Sequence, residues 1–174
     1  RVEFIRESLV ELDAKLRELG GEGCGLIVRH GLAEREVPQL AQQLGALAVF
    51  ASHDDEPAAL LRDGQVRGRL AEHGIALHTC KDHVVFERQE VMTQSGTAFS
   101  VFTPYKNAWL RKVNDFYLKA YPVERHAQHL APVPAALRQP VPRLSDIDFE
   151  PTNLAELHIP AGESGGQTLL ADFL

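Results

Sequence analysis

The stretch Ser100-Val101-Phe102-Thr103-Pro104-Tyr105-Lys106-Asn107-Ala108-Trp109-Leu110 carries the strongest local signal in the chain. Thr103 is a residue type that caps a helix with its side-chain oxygen, and Pro104 fits a first turn, where a missing N–H costs nothing. Val101, Tyr105, Trp109, Val113 and Phe116 then recur at helical spacing, and Trp109 is the only tryptophan in the chain. The spacing predicts a core helix that fades near Ala120, with Trp109 largely buried against a sheet or against the first helix of the chain.

Upstream of this helix the pattern alternates. Ile5, Leu9, Leu12, Leu16 and Leu19 form a helical stripe over residues 3–19, which Gly20-Gly21 stops. A second helix is predicted over Glu34 to Leu44, with Val37, Leu40, Ala41 and Leu44 inward, Pro38 near its first turn and Gly45 at its end. A third runs from near Pro57 to about His73, with Leu60, Leu61 and Leu70 apolar, Gly64 and Gly68 weakening it, and Gly74 ending it. Between these lie three short apolar runs: Cys24-Gly25-Leu26-Ile27-Val28, Ala46-Leu47-Ala48-Val49-Phe50-Ala51 and Ile75-Ala76-Leu77-His78-Thr79-Cys80. Apolar strands joined by helical crossovers imply a mostly parallel sheet covered on both faces, with right-handed connections. The fold class is therefore α/β: a Rossmann-like, doubly wound parallel sheet flanked by helices, with strands near 25–29, 47–51 and 75–80.

Downstream the character changes. Prolines at 122, 132, 134, 140 and 142 read as an extended, surface-lying linker. Residues 146–165 are irregular, and Leu169, Leu170, Phe173 and Leu174 begin a new helix. The expected organisation is an α/β domain over residues 1–120 that lacks its first strands, a linker over 121–165, and the opening of a further, helical domain over 166–174. Both ends fall inside a pattern, so the chain reads as a piece of a longer protein.

Composition narrows the class. A hydrophobic fraction of 44% is enough for a buried core, and a net charge of −6 gives no global basic footprint for nucleic acid. No stretch is long and apolar enough to span a bilayer, and no signal peptide precedes the first helix. Cys24 and Cys80 lie far apart and match no metal or redox spacing, which suits reduced thiols in a cytoplasmic protein.

Several polar groups are candidates for chemistry. His78, Asp82 and His83 are close along the chain without an obvious third ligand, so no metal site is assigned. His126 and His129 lie in the proline-rich stretch and read as solvated. His53-Asp54-Asp55-Glu56 follows a strand, on the edge where doubly wound sheets bind ligands, and the same acids suit the start of the next helix. Lys106, Arg111 and Lys112 make a small basic group on the helix that holds Trp109. No Gly-x-Gly-x-x-Gly, Walker loop or Gly-x-Ser-x-Gly elbow occurs, and no catalytic residue is assigned.

The run Val101-Phe102-Thr103-Pro104-Tyr105-Lys106 with Trp109 closely resembles the segment that closes the N-terminal domain of DNA photolyases and cryptochromes. Phe4-Ile5 with Ser8-Leu9 and Leu12, Glu56-Pro57-Ala58 with Arg62-Asp63, Lys81 to Glu87 with Val91-Met92-Thr93, and Gly162 to Leu174 resemble the same family in order and spacing, class I cyclobutane-dimer photolyases most closely. The resemblance implies a light-driven carbon–carbon lyase that repairs ultraviolet-damaged DNA. FAD would lie in a helical domain outside this chain, and the α/β domain would hold an antenna chromophore. The chain alone is then expected to be inactive, and the whole protein to be a monomer without a membrane partner. It also implies that the loop Gln94-Ser95-Gly96-Thr97-Ala98 borders the antenna pocket, with Ser95, Gly96 and Thr97 at its rim. Folate-binding members carry an Asn and a Glu there. Because no acid is present here, folate is disfavoured, and a deazaflavin, FMN or an empty pocket stays open. A cryptochrome photoreceptor and a free-standing nucleotide-binding module are the alternative readings.

Overall fold

The computed structural model describes residues 1–174. They form two compact units: Gly31–Tyr121, and Arg1–His30 with Pro122–Leu174.

In the unit Gly31–Tyr121, helix α2 (Ala33–Gln43), strand β1 (Ala48–Ser52), helix α3 (Pro57–Ala71) and strand β2 (Ala76–Cys80) follow in order, α1 lying earlier in the chain. The strands pair in parallel, with Ala48 opposite Ala76, Phe50 opposite His78 and Ser52 opposite Cys80. His53 N donates to Cys80 O at 3.0 Å, which extends the ladder by one bond. Parallel neighbours need a crossover, and α3 supplies it.

The core lies where α2, α3 and one face of the strand pair meet: Ala41, Val66, Leu70 and Ile75 are buried, with Val37, Ala46, Val49 and Leu77 packed on them. Leu70 is fully buried. Both helices enter this core through the same terminal device. Gly45 and Gly74 take left-handed backbones at φ 61 and φ 70. The next amide then turns back, Ala46 N to Ala41 O at 2.9 Å and Ile75 N to Leu70 O at 3.0 Å. The left-handed residue satisfies a helix-end carbonyl and aims the following apolar residue at the helix it has just left. Deep within α2, Pro38 has no N–H to give Glu34 O, and Arg69 Nη1 of α3 donates to that carbonyl instead at 2.9 Å.

Three expectations change here. The face bearing Val49 and Leu77 is covered, but the opposite face carries Phe50, 73% exposed, stacked on His78 at 4.9 Å. Leu44, expected to face inward with Ala41, is exposed where α2 ends, and Leu60 and Leu61 of α3 also face outward. Residues 24–28 form no strand and do not join β1 and β2 in a sheet. A strand needs a neighbouring strand to receive its backbone groups. Here Leu26 N is taken by Asp13 Oδ1 at 2.7 Å, and Gly23 O accepts from Val133 N at 2.7 Å.

The unit of residues 1–30 and 122–174 is built on helix α1 (Val2–Gly20), which ends as the glycine pair predicts, with Gly21 N donating to Arg17 O at 2.9 Å. Its predicted apolar stripe is divided: Leu9 and Leu16 are half-buried, while Ile5, Leu12 and Leu19 are exposed. Its polar side chains hold the later chain. Arg6 Nε donates to Pro142 O at 3.0 Å and Glu3 accepts from Thr152 N at 2.8 Å. The proline-rich segment is not simply extended. It winds through short 3-10 turns over Val123–His129, Ala135–Leu137, Leu144–Ile147 and Leu154–Leu157, and it buries Val133 and Leu144. His126 and His129 are exposed and stack on each other at 6.2 Å. The last helix, α6 by chain order, spans Gly162–Phe173 and so starts ahead of residue 166.

Two outcomes are expected. Leu70→Ala should cost about 2–5 kcal/mol in a urea titration, because it empties the centre of a close-packed core; a loss under about 1 kcal/mol would show that the core lies elsewhere. The hydroxyl of Ser164, the Lys15 ammonium and the Ser164 amide hold the Glu11 carboxyl from its ordinary 4.5 down to about 2. A depressed carboxylate stabilises the fold fully above the unfolded value and loses that contribution as pH falls through the folded value. The Glu11 carboxyl carbon, followed by NMR, should therefore titrate near the low end of the window between 4.5 and about 2. A midpoint at 4.5 would show that the carboxyl is not held.

Candidate functional site

Because β1 and β2 run in parallel, the loops that follow them, His53–Glu56 and Lys81–Ser100, leave from the same edge of the sheet. Polar side chains join the two loops. Ser52 Oγ donates to Asp82 Oδ2 at 2.9 Å, Arg88 Nε pairs with Asp55 Oδ1 at 2.9 Å, and the His53 ring contacts the Glu87 carboxylate through Nε2. Glu90 gathers three more elements: Lys81 Nζ at 2.7 Å, Glu87 N at 2.7 Å, and Lys112 Nζ on its backbone oxygen. Lys81 and then the Glu87 amide draw the Glu90 carboxyl below the usual range, and Glu90 in turn raises Lys81. Charge pairs near a protein surface add little stability, so these fix loop positions more than they stabilise the fold.

The helix α4 spans Phe102–Lys112, and Val101 rather than Thr103 stands at its cap position, with no side-chain bond there. Thr103 lies inside the first turn, so its hydroxyl is not a cap. The helix also stops at Lys112, and Asn114 starts a separate short helix, α5 (Asp115–Leu118), by accepting from Phe116 N at 3.0 Å. The break turns Phe116 out of the predicted stripe, and it is 81% exposed. Trp109 is half-buried, not largely buried as expected. Its partner is Phe86, met edge-on at 5.5 Å. Phe86 is the buried centre of this cluster, with Tyr117 at 4.7 Å and Lys112 Nζ at 5.0 Å from its ring. Phe86 lies in the family-like run Lys81 to Glu87, while Glu90 and Tyr117 carry no local signal that marks them as partners of it.

Two cavities result. One of about 510 Å³ lies at the strand ends and is lined by Lys81, Asp82, His83, Glu90, Tyr117 and Tyr121, among others. A second, of about 640 Å³, lies between the 92–99 loop and α4, and its walls include Gln94, Ser95, Phe99, Thr103, Asn107 and Arg111. No carboxylate lines the second. Of the predicted rim residues, Ser95 faces this cavity, while Gly96 and Thr97 shape the loop behind it. Gly96 N donates to Thr93 O at 3.0 Å and Thr97 N to Thr93 Oγ1 at 3.1 Å. Thr93 Oγ1 also meets Ser95 Oγ at 3.0 Å and Thr97 Oγ1 at 2.8 Å, so the three hydroxyls satisfy one another. His78, Asp82 and His83 are not brought together, since His78 stacks on Phe50 and Asp82 accepts from Ser52. Lys106 and Arg111 are exposed, whereas Lys112 is drawn over Phe86.

The arrangement is that of an α/β domain whose strand-end loops frame ligand-sized cavities. The chain belongs to the DNA photolyase family, whose sequence pattern matches residues 1–134. A deoxyribodipyrimidine photo-lyase of Halobacterium salinarum is 31% identical over 175 residues, covering 99% of this chain and 34% of its own. A cryptochrome DASH of Natronomonas pharaonis is 30% identical over 178 residues, covering 100% of this chain and 36% of its own. A bacterial class III photolyase from Agrobacterium tumefaciens superposes with a TM-score of 0.74 over 98% of this chain and 34% of that one, at 23% identity, a likeness of fold. The chain thus spans about a third of the length of these relatives.

Phe86→Ala should cost about 3–5 kcal/mol in denaturant titration, and Phe116→Ala under about 1 kcal/mol, because only the first ring is enclosed. Equal losses would show that the aromatic cluster is not centred on Phe86.

Proposed function

We propose that this chain is the antenna portion of a deoxyribodipyrimidine photolyase, a light-driven enzyme that repairs cyclobutane pyrimidine dimers in DNA. The observation that carries this reading is the family match over residues 1–134, together with a photo-lyase aligned along 99% of the chain. On this reading residues 1–120 form the antenna domain, 121–165 the interdomain linker and 166–174 the start of the FAD-binding domain. FAD and the damaged DNA bind outside this chain, which works in the cytoplasm as part of a monomer. The chain contributes no catalytic residue and repairs nothing alone.

The antenna pigment would sit in the cavity between the 92–99 loop and α4, with Ser95 at its rim and Gly96 and Thr97 shaping the loop behind it. The pigment, when bound, absorbs light and passes the excitation to FAD. The chain's own residues set which pigment fits. Arg111 offers a fixed cation and Asn107 and Gln94 offer amide donors, while Phe99 gives an apolar wall. Donors and a cation suit a ring edge rich in carbonyl oxygens and an anionic tail, as FMN or a deazaflavin presents. A pterin presents donors and needs a carboxylate, and none lines the cavity. The loop hydroxyls are already spent on one another. Leaving a buried donor unpaired costs about 1–3 kcal/mol, roughly ten- to more than a hundredfold in affinity.

The test is reconstitution of the whole protein with FMN, a deazaflavin and methenyltetrahydrofolate in separate experiments. FMN or deazaflavin should bind with its fluorescence quenched by energy transfer, Arg111→Ala should weaken it about tenfold or more, and folate should bind poorly. Tight folate binding with energy transfer would overturn the cavity reading. The identity with a cryptochrome DASH favours a second reading, a photoreceptor of the same fold. Repair of thymine dimers under blue light by the whole protein supports the enzyme; bound FAD without repair supports the photoreceptor.

A further inference from the structure

The chain from about residue 150 to 165 lies along α1 without a core of its own. Leu157 and Ile159 are exposed at 53% and 48%, and between residues 150 and 164 no apolar side chain is buried. What holds it is a row of side chains on one face of α1. Glu3 accepts from the amide and hydroxyl of Thr152. Ser8 Oγ accepts from Gly162 N at 3.0 Å. Glu11 accepts from Ser164 N at 3.0 Å and from Ser164 Oγ at 2.7 Å. Lys15 Nζ lies 2.9 Å from both Glu11 and Glu163, closing the row.

Helix α6 depends on this row for its start. Its own cap residue is Ala161, which has no side-chain oxygen to receive a first-turn amide. The first amides of any helix need an acceptor from outside. Ser8 and Glu11 provide it from another helix, and the Glu11 carboxylate also meets the positive end of the α6 dipole. The segment is shaped for this. Gly162 has φ 81, and a Cβ there would collide with the Glu11 carboxylate; a Cβ on Gly165 would collide with Pro160 O. Gly162 is thus the room that the carboxylate needs, and Gly165 the room for the backbone of Pro160.

We propose that residues 150–165 form a releasable strap latched to α1, with Glu11 as the positioning residue that sets where α6 begins. Because hydrogen bonds and not a buried apolar core close the strap, it opens without unfolding the rest of the chain. Opening would widen the groove of about 720 Å³ between α1 and the strap, whose walls include Glu3, Glu7, Glu11 and His158. The inference does not rest on the repair or photoreceptor reading.

Hydrogen exchange by mass spectrometry on the whole protein tests it. In the parent chain the peptide covering 150–166 should be protected. Glu11→Ala should speed its exchange about tenfold or more, while peptides covering α3 and β2 keep their rates. Glu11→Gln, which keeps an acceptor oxygen but loses the charge, should fall between. Gly162→Ala should match Glu11→Ala although Glu11 is intact, since the new Cβ displaces the carboxylate. That variant, with Glu11→Gln, carries the test should Glu11→Ala fail to fold. At 1 M salt the Lys15 contacts weaken while the Ser164 bonds persist, so the parent chain should stay protected. Exchange of 150–166 at the rate of a free peptide in the parent chain, no change in Glu11→Ala, or an equal change in α3 and β2 would overturn the proposal.

Discussion

The parallel pairing of β1 with β2 is the constraint from which the unit of residues 31–121 follows. Two parallel strands cannot be joined by a tight turn, so the chain must travel the length of the sheet between them. Helix α3 makes that journey, and its return is fixed by Leu70, the fully buried side chain at the meeting point of α2, α3 and the strands. The glycines that end α2 and α3 are part of the same solution. Each turns the backbone so that the residue after it packs beside the helix that precedes it. The bond from Arg69 to Glu34 O shows a similar economy, since the helix that covers the sheet also repairs the gap that Pro38 leaves in its neighbour.

Parallel pairing also decides where function can sit. It places the ends of both strands on one edge, so that two loops distant in sequence meet there. The charged pairs across that edge are individually weak, and their value lies in holding loops in register. Phe86 gives the edge an aromatic anchor, and Val91 of the same loop is buried as well. Trp109 and Tyr117 pack on the Phe86 ring and Lys112 sits over its face, which ties α4 and α5 to the loop after β2.

Helix α1 makes its specific contacts through polar side chains. Its apolar residues would be expected to dock and its polar ones to meet solvent. In this unit the polar residues reach the proline-rich segment and α6, while Leu9 and Leu16 are half-buried and Ile5, Leu12 and Leu19 are open. A contact made of carboxylates and backbone amides has direction and register but little buried area. It is well suited to orient one helix on another and poorly suited to hold them permanently.

Much was legible in the sequence alone. Gly21, Gly45 and Gly74 marked helix ends because glycine reaches left-handed or otherwise open backbones at little cost. The strands near 47–51 and 75–80 and the helix between them followed from short apolar runs that are too brief for helices, and the family followed from the Val101–Trp109 run. Tertiary structure decided the rest. Cys24–Val28 has the composition of a strand, but composition cannot supply a partner, and Asp13 takes the Leu26 amide instead. The spacing of Val101, Tyr105, Trp109, Val113 and Phe116 is helical, yet Asn114 restarts the helix and sends Phe116 to solvent. Thr103 could cap a helix, but the helix begins one residue earlier. Ser95, Gly96 and Thr97 were named together from one loop, and only the folded loop shows that Ser95 faces the cavity while the other two shape the turn. Local patterns report what each residue can do in its own few turns of chain. Which groups meet depends on contacts between segments far apart in sequence, and those exist only once the chain has closed on itself.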